Sequence, residues 1–231
     1  RFFVAEQLNE LNISSQIILE PCSRNTAPAI TASIQGIDDD DIVIIVPADH
    51  LIEDYDSFLN AINDGIELAK NGLLVTFGIV PSNPNTGYGY IEKGDQDGPG
   101  FQIKSFKEKP SFDDAKSFVD SNNFLWNSGI FLFQKSAFIN EMKNFQSDML
   151  MNCKTAYSKA RIETDFIWLD ENSFKKCDSI SLDYAIMEKT SNGAVVPMNV
   201  SWNDVGSWSS IWESSKKDSN ENVLKGDIIN Y

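Results

Sequence analysis

The chain has 231 residues, 42% of them hydrophobic, and a formal net charge of −15. That length and apolar content support one sizeable core, and no apolar run approaches the ~20 residues that cross a bilayer. The negative charge repels nucleic acid and anionic membranes, so a phosphate-bearing ligand has to be met by a local Lys or Arg cluster or by a divalent cation.

The opening stretch, RFFVAEQLNELN, lacks an initiator Met and carries Phe2, Phe3, Ala5, Leu8 and Leu11 at helical spacing. It reads as if the first residue already lay inside an element, and a missing beginning is expected. Its acidic, polar middle does not match a signal peptide. Residues 16–20 (QIILE) read as a strand, 25–36 (NTAPAITASIQG) as a helix with a Thr cap and Pro28 in its first turn, and 41–47 (DIVIIVP) as a second strand. Residues 56–72 predict a helix closed by Gly72, 73–79 a strand, and 111–121 a helix opened by Ser111. Further on, 126–133 reads as a strand, 135–145 and 181–190 as helices, 193–200 as a strand and 207–215 as a short helix. Continuous Ile and Val runs alternating with helices predict an α/β protein with a mixed, mostly parallel sheet covered by helices on both faces. Without an internal repeat or linker, residues 1–215 are expected to form one domain, and the polar tail at 216–231 to lead into something further.

Cys22, Cys153 and Cys177 are odd in number and form no CxxC pair. That pattern fits neither a disulfide framework nor a zinc site and suits a reducing cytoplasm. In open parallel sheets, ligands bind beyond the carboxyl ends of the strands, which is where Asp49 follows IVIIVP. A carboxylate there holds a metal ion, accepts a ligand hydroxyl or caps a turn, and position alone does not choose among these. His50, the only histidine, has no partner for a metal set and reads as a packed or hydrogen-bonded ring.

Residues 83–94 (NPNTGYGYIEKG) interleave Gly87 and Gly89 with Tyr88 and Tyr90, either as a flexible hairpin or as backbone that a ligand approaches closely. Glu108 and Lys109 stand side by side before Pro110, and on an extended chain they face opposite ways toward two partners, a surface charge pair being the plain alternative. Asn127 and Gly129 open a strongly apolar strand, where an amide is costly unless paired. Asp204 sits between Trp202 and Trp208, as a satisfied turn residue or a second cation ligand. The run Asp38 to Asp41 reads as a solvated loop.

Six of these segments, EPCSRNTAPAI, VPADHLI, TGYGYIE, FKEKP, WNSGIFLF and WNDVGSW, stand in the order and approximate spacing of bacterial mannose-1-phosphate guanylyltransferases (GDP-mannose pyrophosphorylases). The chain resembles that family from Arg1 to about Trp212, and RNTAPAI with PADH is similar to the mannose branch rather than to relatives that act on glucose phosphate. The resemblance implies a Rossmann-like nucleotidyltransferase fold that joins GTP to mannose 1-phosphate and releases pyrophosphate. It implies Mg²⁺ held by Asp49 and Asp204, Glu108 on the sugar hydroxyls, Lys109 on the sugar phosphate, Gly89 and Asn127 lining the sugar pocket, and Asn25 and Thr26 contacting guanine. Asp49, Lys109 and Asp204 are then the catalytic set. Such a reaction needs positioning and charge neutralisation rather than a protein nucleophile, in keeping with the lack of a Ser-His-Asp or Cys-His constellation.

The family also begins with a strand and an arginine-bearing Gly-rich loop that nothing in RFFVAEQLNEL matches. Residues 1–215 are therefore expected to be the catalytic domain without that loop, and 216–231 the start of a C-terminal β-helical segment. Two rivals stand beside this reading. A metal-dependent glycosyltransferase typically carries a DxD motif, whereas His50 and Leu51 follow Asp49; a non-catalytic sugar-nucleotide-binding homologue has no need of two metal carboxylates. Self-association is left open.

Overall fold

The computed structural model describes residues 1–164 and 166–228. The helices are α1 (Phe2–Glu10), α2 (Thr26–Ser33), α3 (Tyr55–Lys70), α4 (Phe112–Ser121), α5 (Lys135–Phe145), α6 (Ser147–Ser158), α7 (Glu171–Phe174) and α8 (Trp208–Ser214), of which α2, α3, α4, α7 and α8 open on a side-chain cap. Asp54 caps α3 by accepting from Ser57 N–H at 3.0 Å, and Ser111 caps α4 by accepting from Asp114 N–H at 3.2 Å. The predicted Thr cap of α2 is instead Asn25, whose φ of 66° and side-chain bond from Thr26 N–H turn the chain into the helix. The Thr26 hydroxyl is thereby released for a bond elsewhere in the fold.

The strands are β1 (Ile17–Leu19), β2 (Ile42–Ile45), β3 (Leu51–Ile52), β4 (Leu74–Ile79), β5 (Tyr90–Asp97), β6 (Gly100–Lys107), β7 (Phe124–Gln134), β8 (Arg161–Glu163), β9 (Phe166–Trp168), β10 (Gly193–Met198) and β11 (Trp202–Asn203). The main sheet runs β2-β7-β4-β10-β6-β5, and β5 also pairs with β7, so five of the strands close on themselves. Only β10 with β4 is a parallel pair in this sheet; its other pairings are antiparallel.

The sheet is therefore mixed and mostly antiparallel, against the mostly parallel expectation. The physical reason is β7: it inserts between β2 and β4 and opposes both, so two codirectional strands with continuous Ile and Val runs never touch. A continuous apolar run reports burial on both faces, which this antiparallel insertion also provides. Strand β1 lies apart, parallel to β9 in a three-stranded sheet completed by β8.

Helices do cover both faces. Alternate residues of β7 supply two cores: Phe131 and Phe133 pack with α2, α5 and α6, while Ile130 and Leu132 pack with α3 and α4. Phe133 stacks on Phe138 of α5 at 4.5 Å, and each fully buried ring contributes roughly 1.5–3 kcal/mol. Strand β4, between the two cores, is buried throughout.

The ends of β4 and β6 and the starts of β5 and β7 share one edge. Trp126 pairs with Ile79 and with Tyr90, and Tyr90 pairs with Lys107. Met198, at the end of β10, pairs with Ile79 at the same place. The chain leaving β2 reaches that edge as well, because His50 lies beside Gly129. Residues 216–228 form no regular element, and the remainder of the expected β-helical entry lies outside the described residues.

Candidate functional site

Two corners of that edge carry most of the residues singled out in the sequence. The first is built on the short β3–β11 ribbon, in which Asn203 pairs with Leu51 and Trp202 with Ile52. This register brings Asp204 beside His50, and hence near Asp49, although 155 residues separate the two aspartates in sequence. Trp202 donates from Nε1 to His50 Nδ1 at 3.3 Å, with the rings edge-on at 5.3 Å. His50 is thus the hydrogen-bonded ring expected from its isolation. Burial lowers its pKa, while the charges of Asp49 and Asp204 act the other way.

Asp204 Oδ1 accepts from Tyr88 Oη at 3.1 Å and from Gly206 N–H at 3.3 Å, the latter within a turn that holds Val205 at φ 51°. Tyr88 is wedged between Trp126 and Trp202, and burial together with the Asp204 charge pushes its phenol well above the usual range. Among the described residues, Asp204 Oδ2 and the exposed Asp49 carboxylate accept no protein hydrogen bond. A Mg²⁺ ion takes one or two carboxylates and completes its octahedron with water and phosphate oxygens, so this pair fits such an ion. Among the described residues, no group of three or more His, Cys, Asp or Glu side chains offers an all-protein metal cage.

The second corner holds Gly89, Glu108, Lys109 and Asn127. Asn127 N–H donates to Gly89 O at 2.8 Å, and Lys109 N–H to Tyr88 O at 3.3 Å. A Cβ on Gly89 would lie 2.5 Å from Glu108 Oε2 and 3.3 Å from Asn127 Cβ. The Glu108 carboxylate occupies the space above this glycine, so a side chain there would push the carboxylate aside. Burial and the nearby Asp183 raise the Glu108 pKa, while Lys109 draws it down.

Glu108 and Lys109 do not face opposite ways. Lys109 adopts φ 46°, leaving the extended conformation, and its Nζ comes within 3.9 Å of Glu108 Oε1 while the side chain stays 66% exposed. Both side chains therefore serve one corner, and the lysine keeps most of its capacity for an anion. Asn127 is fully engaged on one side, donating to Asp183 Oδ1 at 2.8 Å and accepting from Gly129 N–H at 3.2 Å.

Asn25 and Thr26 lie at the start of α2. The Thr26 hydroxyl accepts from Leu182 N–H at 2.9 Å, which ties this start to the segment carrying Asp183. Sequence reasoning passed over Tyr88, Trp202 and Asp183 as site residues. Tyr88 was legible as the aromatic between two glycines, and Asp183 as a carboxylate at the margin of an apolar helical stretch.

The architecture is that of the nucleotidyltransferase-like α/β proteins. The chain superposes with a TM-score of 0.80 at 36% identity on a structure described as mannose-6-phosphate isomerase from Helicobacter pylori, covering 87% of this chain and 80% of that one. A structure described as mannose-1-phosphate geranyltransferase from Thermus thermophilus gives a TM-score of 0.77 at 28% identity, covering 90% and 60%.

The chain belongs to the nucleotidyl transferase family, whose model matches residues 1–221. It is 48% identical over 238 residues to a protein of Salmonella muenchen and 44% identical over 242 residues to one of Escherichia coli K12, both named mannose-1-phosphate guanylyltransferase, with all of this chain aligned. The chain spans about half the length of these curated relatives, 50% and 51% respectively.

Proposed function

We propose that the protein forms GDP-mannose and pyrophosphate from GTP and mannose 1-phosphate. The observation that carries this reading is the convergence, at one sheet edge, of the Asp49 carboxylate and Asp204 Oδ2, which accept no protein hydrogen bond among the described residues, with a Glu–Lys pair whose lysine stays available to an anion. The names of the relatives agree with it.

In this reading Glu108 accepts from sugar hydroxyls above Gly89, Lys109 neutralises the sugar phosphate, and Asn127 lines the same pocket. Asn25 and Thr26 face the guanine from the start of α2. Asp49 and Asp204 would hold Mg²⁺, which when bound offsets the charge of the triphosphate and of the departing pyrophosphate. The sugar phosphate oxygen attacks the α-phosphorus in line with the leaving group, and the protein contributes alignment and electrostatic stabilisation.

The Rossmann-like reading of the core rests on β2 and β4, which run the same way with α3 crossing between them. Residues 1–215 are taken as the catalytic domain and 216–231 as the approach to a β-helical segment. A cytoplasmic location suits Cys153 and Cys177, whose sulfurs lie 3.6 Å apart as free thiols.

The test is direct. At its full encoded length and supplied with GTP, mannose 1-phosphate and Mg²⁺, the protein should release GDP-mannose and pyrophosphate in equal amounts. Binding of either substrate without product would favour the sugar-nucleotide-binding alternative.

A further inference from the structure

Asn127 is held by more bonds than a pocket-lining amide needs. Its Oδ1 accepts from Gly129 N–H at 3.2 Å and lies 3.1 Å from Thr76 Oγ1. An N–H donor on that side identifies the oxygen, so the nitrogen end of the amide faces Asp183 and donates to its Oδ1 at 2.8 Å. A primary amide has two N–H bonds, and Asp183 takes one. Among the described residues no protein acceptor takes the other.

Asp183 is itself placed by unusual backbone. It opens the π-helical segment Asp183–Met187, a conformation rarely formed and frequent at functional sites. The residue before it, Leu182, is fully buried and donates its N–H to Thr26 Oγ1 at 2.9 Å, which fastens the segment to the start of α2. The carboxylate is also costly where it stands. Burial raises its pKa, and it in turn raises those of Glu108 and Glu188, while Asn127 and Lys109 act in the opposite direction. A neutral acceptor would hold an amide more cheaply if shape alone were at stake.

We propose that Asp183 is a positioning residue of the sugar corner: its carboxylate clamps the Asn127 amide so that the remaining Nδ2–H is kept as a fixed donor to a hydroxyl oxygen of the sugar phosphate. The sugar-phosphate identity of the ligand rests on the function proposed above; the clamp itself rests only on the bonds just described. The pairing divides the corner by polarity. Glu108 offers acceptors and Asn127 offers a donor, so a ring hydroxyl beside Gly89 is met on both its hydrogen and its oxygen.

The experiment uses Asp183→Asn and Asp183→Ala in the protein at its full encoded length. Both should raise KM for mannose 1-phosphate, about tenfold for the asparagine and more for the alanine, with KM for GTP within about twofold of the parent. In the parent, the Asn127 side-chain amide protons should exchange slowly with solvent by ¹⁵N NMR, and in Asp183→Ala, which removes the acceptor, they should exchange faster.

Unchanged KM and unchanged exchange in the folded variants would overturn the proposal. So would equal losses for both substrates accompanied by a lowered melting temperature, the signature of a structural role alone. If the parent neither binds mannose 1-phosphate nor forms GDP-mannose, the functional reading fails; the amide exchange then still decides the clamp, which stands if protection is lost in Asp183→Ala and falls if it is kept.

Discussion

The two corners of this sheet edge solve the problem of charge in opposite ways. At the β3–β11 corner, Asp49 and the outer oxygen of Asp204 meet no protein donor among the described residues, and the framework around them is aromatic: Tyr88, Trp126, Trp202 and the ring of His50. At the β5–β7 corner, each charged group meets a polar partner: Asp183 with the Asn127 amide, Glu108 with Lys109. The first corner leaves carboxylate oxygens open to the cation proposed above, whereas the second is preorganised by the chain itself. Substitutions at the first should therefore act chiefly on metal-dependent turnover, and at the second on binding of one substrate and on stability.

The sharpest break in this comparison comes from Asp49→Asn and Asp204→Asn. Each should lower Mg²⁺-dependent GDP-mannose formation by about a hundredfold or more, the scale on which a preorganised electrostatic partner is lost. Melting temperature without ligand should stay level or rise slightly, since one of two neighbouring anions is removed. A destabilised variant that keeps its activity would show that the aspartates serve the turn rather than a cation.

Lys109→Ala should weaken mannose 1-phosphate by roughly 1.5–3 kcal/mol in calorimetry, the value of a charge-assisted contact, and leave GTP affinity nearly unchanged. Equal affinity in variant and parent would remove Lys109 from the sugar corner. Gly89→Ala tests the packing of the same corner. Its Cβ would meet Glu108 Oε2 at 2.5 Å and push that flexible carboxylate aside, so weaker sugar-phosphate binding is expected, with a stability loss of no more than about 1 kcal/mol in denaturant titration.

The smallest effect concerns pH. The folded-state pKa of Glu108 lies above its unfolded value through burial and Asp183, so the native state binds more protons than the unfolded chain between the two. That contribution to stability is complete below the unfolded pKa and is lost as pH rises through the folded one. Glu108→Gln should therefore flatten the decline of melting temperature from acid toward neutral pH. Parallel curves for variant and parent would contradict the assigned burial.

Much of the frame was legible in advance because its causes are local. Gly72 and the Ser111 cap are read from adjacent residues, and the α3 and α4 helices appear where those signals place them. The stretch 147–174, holding α6, β8, β9 and α7, was not anticipated, since its strands are three residues long and carry little periodicity.

Residue chemistry and order were enough, within the sequence itself, to settle which side chains to examine: Asp49 after an apolar strand, Glu108 and Lys109 before a proline, Asn127 at the head of a buried strand, Asp204 between tryptophans. Strand direction was outside its reach, because a run such as IVIIV reports burial on two faces and says nothing of whether its neighbour runs with it or against it. Only tertiary pairing set β7 between β2 and β4 and brought Asp204 to His50 across the β3–β11 register. Tertiary structure likewise turned Lys109 back toward Glu108 through a left-handed residue, and placed Asp183 against Asn127 across 56 residues of chain. Contacts between distant segments depend on how packed layers fit together, and that free energy belongs to the whole core rather than to any stretch that can be read alone.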